Sequence, residues 1–104
     1  MDIRTLDEQL SVSAQVTPDE LADLAARGVQ HIICNRPDGE GADQPAYAEV
    51  QRAAEAAGMQ AHYLPVVAGK VSDAEAREFG QLLDAIEGRV HAYCRTGMRS
   101  TTLW

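Results

Sequence analysis

Apolar residues recur with two periods along this chain, and the points where one period gives way to the other divide it into helices and strands. Thr17, Pro18 and Glu20 have the form of an N-cap, a first-turn proline and a capping-box partner; Leu21, Leu24 and Ala25 follow at helical spacing and Gly28 closes the segment. Val29 to Cys34 (VQHIIC) reads as a strand, and Asn35 to Gln44 is too rich in Gly, Pro, Asp and Asn to be anything but a loop. An alanine-rich helix over Ala46 to Ala57, closed by Gly58, leads into a second strand from Met59 to Val66. Ser72 and Glu75 form another capping box, Phe79, Leu82, Leu83 and Ile86 line one helical face, and Gly88 ends that helix before a third strand, Arg89 to Tyr93. Leu10 to Ala14 adds a short edge strand.

Strands alternating with helices of this length predict right-handed βαβ units. The expected class is therefore α/β, a mostly parallel sheet flanked by helices on both faces. In such sheets ligands bind beyond the carboxyl ends of the strands, which directs attention to Asn35–Gln44, Val67–Val71 and Cys94–Ser100.

Composition narrows the picture. The 104 residues suit one domain, and 45% hydrophobic with 24% charged residues is an ordinary globular balance. Nine Lys plus Arg against sixteen Asp plus Glu leave a net charge of −7, which argues against nucleic acid or an anionic membrane as partner, so an anionic ligand needs a local cationic pocket. The start, MDIRTLDEQL, has neither the basic nor the apolar stretch of a signal peptide, and no run is long enough to span a membrane; a cytoplasmic location is expected. Only five residues follow Arg99, fewer than an ordinary helix needs, so a last helix cut short, within a domain excised from a longer chain, is also expected.

The chemistry concentrates in Cys94-Arg95-Thr96-Gly97-Met98-Arg99-Ser100, a turn that follows a strand and opens onto a helix. Successive N–H groups in such a turn point inward, the helix start adds positive character, and Gly97 permits backbone conformations that a Cβ forbids. The Arg99 guanidinium would close the ring on an oxyanion with two parallel hydrogen bonds. A free thiol titrates near about 8.5, and helix starts and arginines lower this to roughly 3.5–7.5, so Cys94 is expected to be largely thiolate. Ser100 could donate to the sulfur when the thiolate leaves.

The chain resembles the phosphatase-like domain of the β-lactamase hydrolase-like proteins, a branch of the dual-specificity phosphatase fold. The residues behind this are the TPDEL helix start, VQHIIC running into NRPDGE, AHYLPV, SDAEAREF and HAYCRTGMRSTTLW. The resemblance implies a cysteine-dependent hydrolase in which Cys94 attacks phosphorus, Arg99 binds the phosphoryl oxygens and a carboxylic acid protonates the leaving oxygen. It also implies that the domain can precede a metallo-hydrolase domain in sulfide or persulfide metabolism.

Two features depart from the phosphatase pattern. The spacing is C-x4-R rather than C-x5-R, a tighter cradle of the length found in many rhodanese-type sulfurtransferases. The family's aspartate is also missing from the loop after AHYLPV, which reads Val67-Ala68-Gly69-Lys70, leaving Asp73 as the nearest acid and Asp38 and Glu40 as rivals. Asp73 equally suits the first turn of its helix with no catalytic duty. Persulfide transfer needs no such acid, so a small anionic substrate, phosphoryl ester or persulfide, stays open, as does a non-catalytic anion-binding module.

Arg36 and Asp38 are candidates for the substrate mouth, although Arg36 could simply pair with Asp38 or Glu40. Cys34 could serve as a resolving partner of Cys94 or as a packed thiol. His31 and Cys34, like His91 and Cys94, are three apart, an odd spacing that sends strand side chains to opposite faces, so no metal site is expected, and no cofactor. His91 is a candidate support beneath the loop.

Overall fold

The computed structural model describes residues 3–42, 44–67 and 71–103, with Met98 and Arg99 described by their backbone alone. Nine elements follow in order: β1 (Arg4–Thr5), β2 (Leu10–Ser13), α1 (Pro18–Ala26), β3 (Val29–Cys34), α2 (Tyr47–Ala56), β4 (Gln60–Tyr63), α3 (Asp73–Ala85), β5 (Arg89–Tyr93) and α4 (Met98–Leu103). The five strands form one sheet in the order β1-β2-β5-β3-β4, parallel throughout except for the antiparallel β1–β2 pair. The expected α/β class and mostly parallel sheet hold.

Local chemistry sets the helix ends. The Glu20 carboxylate accepts the Thr17 amide at 2.8 Å, and at α3 the Ser72 hydroxyl accepts the Glu75 amide at 3.2 Å while Glu75 accepts the Ser72 amide at 3.0 Å. Gly28, at φ +89°, takes the left-handed turn that releases the chain from α1 into β3.

Two apolar layers cover the sheet. On one face Leu21 and Leu24 of α1 and Val50 and Ala54 of α2 pack on Val29, Ile32, Cys34 and Tyr93. On the other, Phe79 of α3 and Leu103 of α4 pack on Leu10, Val12, Ile33, Val90 and Ala92. Each fully buried side chain of this kind contributes about 1.5–3 kcal/mol. Among the described residues no helix is long and apolar enough to cross a membrane.

Three expected elements need correction. β2 is not an edge strand: it lies between β1 and β5, and all four of its residues are buried. β4 stops at Tyr63 rather than Val66, although the Leu64 and Val66 amides still donate to the Cys34 and Asn35 carbonyls at the end of β3, both at 2.9 Å. α3 ends at Ala85, with Ile86 extended, three residues before Gly88.

Candidate functional site

The sheet fixes Cys94 from both sides. β5 is flanked by β2 and β3, and Cys94 is the first residue beyond its end, at the carboxyl edge. Its amide donates to the Ser13 carbonyl of β2 at 3.4 Å, while the Asn35 amide donates to the Tyr93 carbonyl at 2.9 Å. The chain then turns through Arg95, Thr96 and Gly97 into α4, one residue earlier than the expected start near Arg99.

The sulfur is buried, and the Gly97 N–H donates to it at 3.0 Å. Gly97 has φ +89°, and a Cβ there would stand 3.2 Å from the carbonyl carbon of Ser13, so this turn requires glycine. The backbone is thus folded back so that an amide hydrogen faces the sulfur, an arrangement that favours the anion over the thiol.

The other cysteine is its chemical opposite. Burial pushes the Cys34 thiol up, outweighing the hydrogen bond from Tyr93 that acts against it, and Cys34 Sγ donates to the Arg36 carbonyl at 3.2 Å. Neither cysteine is in a disulfide. Cys34 lies level with Tyr93, not Cys94, and packs on the α1–α2 side. An offset of one residue directs the two side chains to opposite faces, so of the two alternatives Cys34 is the packed thiol.

Ser100 is buried on the first turns of α4, and its hydroxyl donates to Asn35 Oδ1 at 2.8 Å rather than being held for the sulfur. Asn35 also donates through Nδ2 to the Leu64 carbonyl at 3.0 Å and accepts the Val66 amide on its own carbonyl at 2.9 Å. One fully buried side chain therefore joins the ends of β3 and β4 to the helix that follows the cysteine loop. The sequence reading passed over Asn35 as the first polar residue of a loop. Its position at the carboxyl end of an inner strand was the available signal.

The remaining predicted residues are placed as follows. Arg95 and Thr96 are exposed on the turn, while the side chains of Arg99 and Met98 lie outside the described residues. Arg36 is buried and spends its guanidinium on Glu40 at 3.1 Å and Gln15 Oε1 at 3.0 Å. Asp38 caps α2, accepting the Tyr47 amide at 2.8 Å. These contacts tie the β3–α2 loop to itself, to the start of α2 and to Gln15 ahead of α1. Asp73 is exposed in the first turn of α3, and none of the described hydrogen bonds or ion pairs involves it. Residues 68–70, where the family's acid is expected, lie outside the described residues.

His91 is fully buried on β5, three residues before the cysteine. Its Nδ1 is 2.8 Å from Ser11 Oγ and its Nε2 is 2.7 Å from Ser13 Oγ, so it supports the loop through β2 rather than by bonding the loop backbone. His31 and His62 lie away from the loop, with Nδ1 and Nε2 3.2 Å apart across β3 and β4. A cavity of about 340 Å³ adjoins the loop, walled by Arg4, Val12, Ser13, Thr96, Gly97 and Thr101 among others.

A buried cysteine facing an amide at the end of an inner parallel strand, in a loop that opens a helix, is accompanied by agreement over the whole chain. The model of the β-lactamase hydrolase-like protein, phosphatase-like domain, matches residues 2–104. The chain belongs to this family of phosphatase-like domains. It is 35% identical over 104 residues to the β-lactamase hydrolase-like protein of Xylella fastidiosa (strain Temecula1), matching 100% of this chain and 24% of that protein, so the domain spans about a quarter of the relative's length. A candidate phosphatase from Neisseria meningitidis shares 40% identity with a TM-score of 0.91, covering 96% of this chain and 71% of that one. P. aeruginosa TpbA, at 24% identity and a TM-score of 0.68 over 91% of this chain and 54% of its own, shares the fold. The phosphatase-like domain assignment and the protein tyrosine phosphatase-like fold therefore agree.

Proposed function

We infer that this phosphatase-like domain hydrolyses a phosphoryl ester through the Cys94 thiolate. The observation that carries the reading is the Gly97 N–H aimed at the buried Cys94 sulfur at 3.0 Å. In the first step the sulfur lone pair forms an S–P bond as the P–O bond to the leaving group breaks, and the departing oxygen takes a proton. In the second, water forms an O–P bond as the S–P bond breaks, the carboxylate left by the first step takes the water's proton, and inorganic phosphate leaves the restored thiolate. The turn amides stabilise first the sulfur anion and then the phosphoryl oxygens, and the resemblance assigns the guanidinium clamp to Arg99. The exposed Asp73 is the acid the resemblance leaves as the leaving-group donor. Ser100, through Asn35, keeps α4 docked on the sheet edge. The substrate is a small anionic phosphoryl ester.

The four-residue spacing between Cys94 and Arg99 favours a smaller guest and supports a second reading, persulfide sulfur transfer by the same thiolate. Two assays separate the readings: phosphate release from an aryl phosphate, and sulfur transfer from thiosulfate to cyanide, each with the domain and with Cys94→Ser. Phosphate release that depends on Cys94 supports the first reading, and release that survives the substitution overturns it. Sulfur transfer alone, dependent on Cys94, supports the second. Tight phosphate binding without either turnover identifies an anion-binding module.

A further inference from the structure

We propose that His91 is a positioning residue for Cys94, acting through Ser13 to hold the wall against which the sulfur-bearing turn is folded. This deepens the reading of Cys94 as nucleophile and rests on it.

A serine hydroxyl has one proton to give, and that of Ser13 goes to the Ala14 carbonyl at 2.8 Å. With the Ser13 proton assigned to Ala14, Ser13 Oγ accepts at the 2.7 Å contact and the ring proton is assigned to Nε2. Nδ1 is then bare and accepts the Ser11 hydroxyl at 2.8 Å. The ring bridges two hydroxyls that lie two residues apart on one face of β2, with Ser11 directly opposite His91 in the ladder.

Ser13 is the residue the cysteine loop leans on. Its carbonyl receives the Cys94 amide at 3.4 Å, and its carbonyl carbon and oxygen are the atoms a Cβ on Gly97 would meet at 3.2 and 3.3 Å. The chain His91 to Ser13 to Cys94 and Gly97 is thus continuous, and its last link carries the amide that faces the sulfur. A small displacement of β2 would move that amide off the sulfur. The ring's surroundings favour its neutral form: it is buried, and the carboxylate that acts on it, Glu20 of α1, opposes this only in part.

The test compares wild type with His91→Leu and His91→Gln, the latter keeping an N–H for Ser13. Cys94 ionisation is read from the ultraviolet thiolate absorbance against pH, taking each protein minus its Cys94→Ser counterpart. Turnover is read with an aryl phosphate. His91→Leu is expected to raise the Cys94 titration midpoint by about one pH unit, and to lower kcat by about tenfold or more with KM within about threefold. His91→Gln should stay near wild type in both. A folded His91→Leu with an unchanged titration midpoint overturns the proposal, as does a His91→Gln as impaired as His91→Leu. If His91→Leu does not fold, Ser13→Ala is measured in its place, and an unmoved midpoint there overturns it equally. The titration is independent of turnover, so a wild type that releases no phosphate refutes the phosphatase reading while the absorbance still decides the role of His91.

Discussion

Acidification should weaken this domain in a measurable part through one side chain, and the size of that part follows from the environment of His91. Burial pushes its imidazole down from the ordinary 6.5 to about 4, with the Glu20 carboxylate acting weakly in the opposite sense. Between those values the unfolded chain binds a proton that the folded one refuses, so stability rises with pH there. The contribution is fully present above the unfolded value and is lost as pH falls toward the folded one. Working the linkage through gives a loss of about 2 kcal/mol between pH 7 and pH 5, and about 3 kcal/mol by pH 4. Against the roughly 5–15 kcal/mol that holds a small domain together, this is a large share. Urea unfolding at pH 7 and pH 5 measures it, with His91→Leu as the reference that cannot titrate. Carboxylates and His62, whose imidazole burial also pushes down, change equally in both proteins and cancel. Wild type should lose about 2 kcal/mol more than the variant over that interval, about 1–2 M in urea midpoint. Parallel losses in the two proteins would refute the reasoning.

Three further substitutions address the loop and the core. Gly97→Ala places a side chain at φ +89° against the Ser13 carbonyl carbon at 3.2 Å, and should cost about 1–3 kcal/mol in urea unfolding while lowering aryl phosphate turnover. Asn35→Ala leaves the Ser100 hydroxyl and the Leu64 carbonyl without their buried partner, and should cost about 1–3 kcal/mol by the same measurement. Phe79→Ala opens a cavity in the fully buried α3 layer and should lower stability by about 3–5 kcal/mol, read by thermal or urea unfolding.

Elements governed by neighbouring residues were legible in the sequence. The strands VQHIIC and RVHAY occupy the span their apolar content marks out, and both capping boxes start helices where their spacing places them. Cys94 at a strand end followed by Gly97 and a helix was equally readable, because turn chemistry is local. Elements governed by distant partners were not. LSVS looks like a weak edge segment, since two of its four positions are polar. It is an interior strand because His91, 80 positions from Ser11, satisfies both serines. β1 holds only two residues, too few for any periodicity. Asn35 and Arg36 read as loop polarity, yet both are buried, one bonded to α4 and the other to Gln15 and Glu40. Their partners come from other segments or from the loop's own folding, which an inspection of adjacent positions does not reveal.

If Cys94 is the nucleophile, its sulfur becomes covalently bonded to phosphorus during turnover. Rapid acid quench of the domain during turnover of an aryl phosphate, followed by mass spectrometry, tests it directly. One phosphoryl group is expected on the peptide containing Cys94, absent from Cys94→Ser. Steady turnover with no phosphoryl group on that cysteine, or with one on another residue, would contradict it.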